Sequence, residues 1–340
     1  MFVNNYLRIT TVNILRYPLT FCISVYVFVN VSLNRANEPW LNWDTLQLTA
    51  SLTQRNFNDN SMMSGAAMQD LGYRQSLMKK NLWLRARVIQ TVRNFFTDKN
   101  YLEIETPFRI PAPAPETHIN TLSSENWFLH TSPELCMKRL LAAGYPRIFQ
   151  ICKCFRKQER GARHLSEFTV LEWYCAESNY LDLMNQCEDL LQFIARTEGF
   201  GNYILYQGTR VDLNNPWSRM TVSEAFEKFA SMPMEKALAE DRFDEILSFE
   251  IEPHLGHAKP LFLYDYPASR GALAKLHPDN NACAQRFELY ICGLELCNAF
   301  TELTDPVEQK ARFEKEREHR RLAGQQVYPM PDKFLESLKY

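Results

Sequence analysis

A long hairpin with a charged tip is the sequence feature that most limits how this chain can fold. Residues 147–152 form an apolar run with the β-branched and aromatic content of a buried strand. Residues 156–163 are mostly charged and lack apolar periodicity, which predicts a loop. In residues 167–174 the side chains alternate between two faces, which predicts a returning strand. The stretch 155–174 is therefore predicted to contain a polar loop between two strands.

The tip of this hairpin carries several cationic side chains. Guanidinium and imidazole groups can together hold a polyanion such as a triphosphate, and a guanidinium can bind two oxygens at once. A solvated hairpin tip is the alternative interpretation, which the charged loop alone does not exclude. The charged and imidazole side chains of the tip include Arg156, Glu159, Arg160, Arg163 and His164.

Length and composition set the broad class. With 340 residues the chain is long enough for one large domain or two smaller ones. Its hydrophobic fraction of 46% and charged fraction of 23% are typical of a soluble globular protein. The net charge of −2 gives no bulk electrostatic reason to expect nucleic acid binding. Cys152 and Cys154 form a C-x-C without a second pair at zinc-ligand spacing, so free thiols in a reducing cytosol are expected.

The first 74 residues do not share the regular patterning of the rest. The apolar run at 19–29 is shorter than the roughly 20 apolar residues that a membrane-spanning helix needs. Three interpretations stay open: a signal or interfacial segment, ordinary structure, or a true start codon near residues 62–68. We therefore treat residues 1–74 as an N-terminal extension of uncertain status, followed by one domain at 75–340.

From residue 75 onward, helical and strand-like patterns alternate. Apolar residues recur at helical spacing over residues 82–96, and this helix is expected to end near Asn100. Further helices are predicted at 135–143, 180–198, 222–229, 243–250 and 306–324, and further strands at 101–105, 127–130, 203–206, 261–267, 287–291 and 294–303. Together, these helices and strands predict an α+β fold with a mostly antiparallel sheet flanked by helices.

Two glutamates of the last predicted strand raise a question of geometry. Glu295 and Glu302 are an odd number of positions apart, so one unbroken strand would direct them to opposite faces. A β-bulge at Asn298-Ala299 would re-aim one of them.

Four motifs in a fixed order resemble those of class II aminoacyl-tRNA synthetases, specifically the lysine group. They are I-E-T-P at 104–107, T-S-P-E at 131–134, the hairpin at 155–174, and G-L-E-L followed by E-L-T-D-P within 293–306. The first resembles motif 1, which builds the dimer interface in that family, and the hairpin resembles motif 2. Over residues 80–340 the chain is most similar to the lysyl-tRNA synthetase paralogues that ligate β-lysine to elongation factor P. In those paralogues the catalytic domain has no anticodon-binding barrel before it.

The resemblance implies an ATP site at the hairpin, with Arg156 and Glu295 as the catalytic residues. Arg156 would hold the α-phosphate, and Phe168 would stack on adenine. Glu295 would bind Mg²⁺ that bridges the ATP phosphates, since this hard cation takes oxygen ligands. The other nucleotide-binding residues implied are Lys157, Gln158, Glu159, His164 and Leu296. The adenine-reading acid of the family falls at Gln158, so whether Gln158 or Glu159 reads the base stays open.

The resemblance also implies an amino-acid pocket. Its residues would be Ser132, Pro133, Glu134, Tyr174 and Glu302. The carboxylates of Glu134 and Glu302 suit a doubly cationic lysine or β-lysine. For Glu134, a first-turn acid on a helix N-terminus is the alternative role. No side-chain base or nucleophile is implied, because the substrate carboxylate attacks the α-phosphate while the protein positions it and stabilises charge.

The implied activity is ATP-dependent activation of (R)-β-lysine or lysine as an adenylate, followed by ligation to a lysine of elongation factor P. The expected protein is a cytoplasmic homodimer that does not use tRNA. A stand-alone lysyl-tRNA synthetase core is one alternative, and a catalytically inactive paralogue is another.

One departure concerns motif 3, which in the family follows the segment matched here by residues 334–338. Motif 3 supplies a second ATP-binding arginine and a central strand, and the sequence stops at Tyr340 before it. The resemblance therefore predicts a C-terminally truncated member with weak or no activity, because a lost phosphate donor costs roughly 10²–10³ in rate.

Overall fold

The computed structural model describes residues 79–159, 161 and 164–340, together with the backbone of Thr11–Asn13 and Ser24–Val27. Nearly all of the N-terminal extension lies outside these residues, as do Arg160 and Arg163 of the hairpin tip. Within the described part of the chain, no helix combines the length and the apolar character that crossing a membrane requires.

Eight α-helices occur in the described residues. They are α1 (Lys79–Asp98), α2 (Glu134–Ala142), α3 (Tyr180–Thr197), α4 (Val222–Phe229), α5 (Met234–Ala239), α6 (Phe243–Ile246), α7 (Pro306–Leu322) and α8 (Asp332–Ser337). A π-helical segment, Leu247–Ile251, continues α6, so the helix predicted at 243–250 is present but changes its winding. All the helices predicted from periodicity are confirmed, with ends shifted by a few residues at most.

The strands are short except around the hairpin and near the C-terminal part of the sheet. They are β1 (Thr11–Asn13), β2 (Ser24–Val27), β3 (Leu102–Glu103), β4 (Arg109–Ile110), β5 (Leu122–Ser124), β6 (Trp127–Leu129), β7 (Arg147–Phe155), β8 (Glu167–Cys175), β9 (Tyr203–Tyr206), β10 (Thr209–Asp212), β11 (Ser218–Thr221), β12 (Leu261–Pro267), β13 (Leu276–His277), β14 (Asn280–Ile291) and β15 (Leu294–Phe300).

The strands form separate sheets. One has the order β3-β7-β8, and a five-stranded sheet has the order β11-β12-β14-β13, with β15 also pairing β14. Only β3 with β7 and β11 with β12 pair in parallel; the other described ladders are antiparallel. The α+β prediction with a mostly antiparallel arrangement is therefore confirmed.

The predicted hairpin is the pair β7 and β8. Its ladder runs without a register shift from the pair Arg147 and Cys175 to the pair Phe155 and Glu167. Residues directly opposite each other share a face, so Gln150, Cys152 and Cys154 lie on the same face as Phe168, Val170 and Glu172. This face carries the polar residues of the site described below.

The opposite face of the hairpin packs against helices. On α1 the buried residues Val88, Val92, Phe95 and Phe96 fall on one stripe. The ring of Phe96 stacks on Phe149 at 5.0 Å and contacts Trp173 at 4.7 Å between ring centroids. Helix α3 covers the same core with Leu183 and Leu190. Because this face is closed by helices, the other face is left for polar chemistry.

A second core lies in residues 203–260, the segment inserted between α3 and β12. Helices α4 to α6 place Phe226 and Phe243 in stacked contact at 5.0 Å. These rings belong to a cluster that also contains Leu263 of β12 and Tyr290 of β14. The insertion is thereby fixed to the five-stranded sheet next to Glu288 and Glu295.

A β-bulge in β15 answers the question raised by the spacing of its glutamates. Leu289 is opposite Cys297 and Tyr290 is opposite Glu295, so Leu296 is the extra residue. The bulge lies two residues before the position at which it was considered from the sequence. It places Glu295 on the same face as Asn298 and Glu302.

Candidate active site

The N-terminus of α2 forms one part of the site. The Ser132 hydroxyl accepts a hydrogen bond from the Glu134 backbone N–H at 3.0 Å, which satisfies one of the unpaired donors of the first helical turn. The same hydroxyl donates to Glu172 Oε1 at 2.7 Å. Ser132 therefore supplies a hydroxyl acceptor at the start of α2. It also links the helix to the hairpin.

Glu172 is a site residue that the sequence reasoning missed. Its side chain is fully buried and also accepts a hydrogen bond from the Tyr174 hydroxyl at 2.8 Å. Burial raises the pKa of the Glu172 carboxyl well above its ordinary value, and the charges of Cys152 and Glu134 add to the rise. The available signal was the alternation in β8, which puts an acid on the same face as Phe168.

Lys138 is a second missed residue, and it lies one helical turn after Glu134. Its Nζ is 2.6 Å from Glu134 Oε1 and 2.5 Å from Glu302 Oε2, and all three side chains are buried. Burial lowers the pKa of Lys138, but the two carboxylates outweigh it and raise the pKa above its ordinary value. The two acids predicted to bind substrate ammonium groups thus already share one internal ammonium.

We call Ser132, Glu134, Lys138, Glu172, Tyr174 and Glu302 the amino-acid end of the site. Ion pairs and hydrogen bonds connect Glu134 to Lys138 and Glu302, and Glu172 to Ser132 and Tyr174. The structure thus brings together four of the five residues predicted for the pocket. Pro133 lies among them as the residue that precedes α2.

We call Arg156, Glu159 and Phe168 the nucleotide end. The Arg156 guanidinium carbon is 5.1 Å from the centroid of the buried Phe168 ring. Arg156 Nη1 is 3.7 Å from Glu159 Oε1, which is beyond hydrogen-bonding distance. The backbone N–H of Arg156 donates to the Ser166 carbonyl at 2.9 Å, which continues the hairpin past its ladder. Arg156 is thereby held at the base of the loop.

The other predicted nucleotide-binding residues surround this end. Gln158 has a left-handed backbone with φ of 67°, at the turn of the loop. The Lys157 backbone N–H donates to the Asn120 carbonyl at 2.7 Å, so the loop is attached to residues 116–120. Lys157, Gln158 and His164 are exposed, whereas Leu296 is the bulge residue of β15. Their roles toward ATP stay predictions.

Carboxylates on β14 and β15 form a third part of the site. Burial raises the pKa of Glu295 well above its ordinary value, and the nearby charges of Glu288 and Glu252 raise it further, while Arg286 and Arg156 oppose the rise. Glu288 accepts hydrogen bonds from Tyr266 and Tyr290, each at 2.6 Å, and from Arg286 at 2.6 Å. Such carboxylate oxygens are the ligands that Mg²⁺ prefers. Glu288 was also missed by the sequence reasoning.

Glu116 is a further acid, and it interacts with charged groups at both ends. Burial raises its pKa to about 7, with a further contribution from Glu134 and an opposing one from Arg156. The loop that carries it is held by Arg320 of α7, whose fully buried guanidinium donates to the carbonyls of Glu116 at 2.6 Å and Ile119 at 3.2 Å. Arg320 also donates to Asn120 Oδ1 at 2.7 Å.

Comparison with known proteins agrees with this geometry. The family model of class II tRNA synthetases (D, K and N) matches residues 65–340. An elongation factor P--(R)-beta-lysine ligase from Avibacterium paragallinarum is 36% identical over 274 residues, which cover 76% of this chain and 85% of that protein. A protein of the same name from Mannheimia succiniciproducens is 38% identical over 260 residues, covering 72% and 80%.

A lysine--tRNA ligase from Moorella thermoacetica is 33% identical over 306 residues, which cover 80% of this chain and 62% of that protein. The match of the family model spans most of the sequence and includes every part of the site described above. The chain therefore belongs to the class II tRNA synthetases of the D, K and N group, a family of ATP-dependent amino-acid ligases.

Proposed function

We propose that this chain activates (R)-β-lysine or lysine with ATP as an adenylate and transfers it to a lysine of elongation factor P. The observation that carries the proposal is the buried excess of carboxylates at the amino-acid end. Glu134, Glu172 and Glu302 are all buried there, and Lys138 forms ion pairs with Glu134 and Glu302. Buried carboxylates favour nearby cations, and a doubly cationic amino acid would supply two of them.

The role of each acid follows from its present partner. Glu134 and Glu302 share the ammonium group of Lys138. Among the described residues, the donors at hydrogen-bonding distance from Glu172 are the hydroxyls of Ser132 and Tyr174. A substrate ammonium beside Glu172 would favour its ionised form and so lower its raised pKa. We therefore assign Glu172 as the acid that responds most to substrate binding.

At the nucleotide end, Arg156 supports ATP binding because its planar fork suits phosphate oxygens. Its guanidinium lies 3.7 Å from the Glu159 carboxylate at the base of the loop. Phe168, directly beneath the guanidinium, provides an aromatic face of the kind on which bases stack.

Glu295 and Glu288 would hold Mg²⁺. They fit the ion because the repulsion that raises the pKa of Glu295 is relieved by a divalent cation. When bound, Mg²⁺ would neutralise negative charge on the phosphates of ATP.

The reaction needs no protein base. The carboxylate of the bound amino acid attacks the α-phosphate, the bond from this phosphorus to the pyrophosphate oxygen breaks, and pyrophosphate leaves, while the acids of the amino-acid end hold the ammonium groups of the amino acid in place. The neutral side-chain amine of the acceptor lysine then attacks the adenylate carbonyl, AMP leaves, and the amine proton passes to solvent. Arg156 stabilises the negative charge that develops on the phosphoryl oxygens.

We propose elongation factor P rather than tRNA as the acceptor, because the chain is 36–38% identical to ligases named for elongation factor P and 33% identical to the lysine--tRNA ligase. The net charge of −2 also gives no electrostatic support for tRNA binding. The described cysteines are free, which supports a reducing cytoplasm. A homodimer is supported by large exposed apolar side chains near motif 1, namely Trp83, Leu102, Phe108 and Trp127.

ATP–pyrophosphate exchange tests the first half-reaction. We expect exchange with (R)-β-lysine or lysine, even if it is slow, and none with norleucine, which has the same chain length as lysine but lacks the second ammonium. Glu172→Gln should raise the KM for the amino acid by tenfold or more, because a charge-assisted contact is lost. Exchange with neither cationic amino acid would contradict the proposal and favour an inactive paralogue.

The acceptor is tested separately with the activated amino acid. Incubation with elongation factor P and, in parallel, with lysine tRNA should yield labelled protein and no labelled tRNA. Labelling of the tRNA alone would identify a stand-alone lysyl-tRNA synthetase core instead.

A further inference from the structure

A cluster of two thiols and an imidazole lies beneath the nucleotide end. His130 follows β6, and Cys152 and Cys154 lie in β7. Their ligand atoms all lie within 4.8 Å of one another, and all three side chains are buried. Neither the amino-acid end nor the nucleotide end uses these groups. The C-x-C spacing alone gave no zinc signal, because the third residue is 22 positions earlier in the sequence.

We propose that His130, Cys152 and Cys154 form a binding site for a zinc ion. Thiolate and imidazole ligands together favour zinc over magnesium or calcium, which prefer oxygen. Sites with three protein ligands and an open fourth position are common for zinc. The inference is independent of the proposed ligase activity, since it rests on other side chains.

The geometry of the cluster is close to that of a bound ion. Zinc–sulfur and zinc–nitrogen bonds of about 2.3 and 2.0 Å place a sulfur and a nitrogen ligand roughly 3.5 Å apart in a tetrahedron. The ligand atoms of the three residues lie within 4.8 Å of one another, so a bound ion would draw them closer. The two cysteines are two positions apart in one strand, so both thiols project from the same face.

The tautomer of His130 leaves a lone pair for the metal. His130 Nε2 is 2.7 Å from the Lys153 carbonyl oxygen, which can only accept, so Nε2 carries the proton. Nδ1 therefore holds the lone pair. In the described residues it is buried and has no hydrogen-bond partner. Metal-binding histidines usually donate their other ring N–H to a carbonyl or carboxylate, as His130 does here.

Charge and surroundings agree with this assignment. Two thiolates, a neutral imidazole and Zn²⁺ sum to zero charge, which suits a fully buried place. Gln150 lies on the same face with both side-chain amide atoms buried and without hydrogen bonds among the described residues. Its oxygen is a donor for the fourth position.

The position of the cluster gives the ion a structural task. Cys154 is directly opposite Phe168, and Arg156 follows two residues later. The backbone N–H of Phe155 donates to the His130 carbonyl at 3.0 Å. A zinc ion would therefore fasten His130 to β7 immediately before the residues of the nucleotide end.

The test is metal content together with cobalt spectroscopy on the full chain without an affinity tag. After incubation with zinc and dialysis, we expect about one zinc per chain by elemental analysis. Titration with Co²⁺ should give thiolate-to-cobalt charge-transfer absorption and the visible bands of a tetrahedral ion. Cys152→Ser and Cys154→Ser should each weaken zinc binding at least tenfold.

The chain offers a matched control. Cys187 and Cys297 are also a buried pair, with sulfurs 3.8 Å apart, and they are not part of a metal-ligand cluster in the described residues. Cys297→Ser should therefore retain the zinc and the cobalt spectrum. Alkylation of the unmodified chain, mapped by mass spectrometry, should show that zinc protects Cys152 and Cys154 more than Cys187.

The proposal is wrong if the unmodified chain retains no zinc and shows no charge-transfer band. It is also wrong if Cys152→Ser binds zinc as tightly as Cys297→Ser. Should a serine variant fail to fold, the cobalt spectrum and the alkylation map of the unmodified chain still decide the matter.

Discussion

The two ends of the site differ in how deeply their charged side chains are buried. At the amino-acid end, Lys138 contacts two carboxylates at 2.6 and 2.5 Å, and Glu172 accepts two hydrogen bonds at 2.7 and 2.8 Å. At the nucleotide end, Arg156 and Glu159 are 3.7 Å apart, and their side chains are 14% and 27% exposed. The first is a buried network of ion pairs and hydrogen bonds, whereas the second is a partly exposed loop base.

This difference predicts where mutational effects will appear. Removing one partner from a buried ion pair leaves an uncompensated charge, which destabilises the folded state itself. Partly exposed charged residues contribute less to folding, so we expect the loss of Arg156 to be visible mainly when a ligand binds. Stability measurements should therefore report on the amino-acid end, and ATP kinetics on the nucleotide end.

The largest effect is expected from Lys138→Met. The substitution keeps the length of the side chain but leaves Glu134 and Glu302 buried without their shared cation. We expect the free energy of unfolding to fall by about 3–5 kcal/mol. Urea unfolding followed by circular dichroism measures it.

Lys310→Met is the matched control, because Lys310 forms an exposed i,i+4 pair with Glu314 at 3.7 Å. Its loss should cost no more than about 0.5 kcal/mol. Equal losses in the two variants would remove the distinction between the buried and the exposed pairing.

Arg156→Lys should reduce kcat/KM for ATP in pyrophosphate exchange by about 10²-fold. Lysine keeps the charge but lacks the planar fork that binds two phosphate oxygens. Arg242→Lys changes an exposed arginine that pairs with Glu245 at 3.1 Å and should leave the kinetics unchanged. A large loss of stability in Arg156→Lys would show that the nucleotide end also supports the fold.

The third prediction concerns pH and Glu116. Its pKa in the folded chain is raised from 4.5 to about 7, mainly by burial. As pH rises from 4.5, the unfolded chain loses this proton first, so the free energy of unfolding falls until about pH 7. Because the side chain is only partly buried, the fall is at most about 3 kcal/mol.

Glu116→Gln should remove this contribution to the pH dependence. The comparison of the two chains isolates it from other acids with raised pKa values, such as Glu172 and Glu295. Unfolding midpoints at several pH values between 4.5 and 8 measure the difference. Parallel curves for the two chains would contradict the prediction.

The smallest effect is expected from Phe168→Leu, which keeps much of the apolar volume and removes the aromatic face. A stacking contribution of about 1 kcal/mol corresponds to a roughly fivefold higher KM for ATP. Phe155→Leu makes the same change on the opposite face of the hairpin and should not alter this KM. Equal KM values in the two variants would argue against stacking by Phe168.

The hairpin could be predicted because its signal is local. Alternation along β7 and β8 determined both strands, and the ladder matches them to within a few residues. Strand partners could not be predicted, since the parallel pairing of Ser218–Thr221 with β12 depends on segments more than forty residues apart. The spacing of Glu295 and Glu302 showed that a bulge was needed. It did not show that Leu296 would be the extra residue.

The site was predicted less completely than the fold. Ser132, Glu134, Tyr174 and Glu302 were identified through motifs, and the structure brings them together. Lys138 was missed because its partner Glu302 is 164 positions away, and helical periodicity places a lysine on the surface by default. Glu172 and Glu288 were missed because a buried acid is explained only by donors from other elements.

The attachment of residues 116–120 to Arg320 has a consequence for the order of folding. Arg320 and Glu116 are 204 positions apart, and the same loop holds the backbone of Lys157. Contacts of such long range form late, because closing so large a loop is entropically unfavourable until other contacts exist. During synthesis at roughly 5–20 residues per second, about 10–40 s would pass between the synthesis of Glu116 and that of Arg320. The hairpin core can therefore form well before the loop beside Arg156 is fixed.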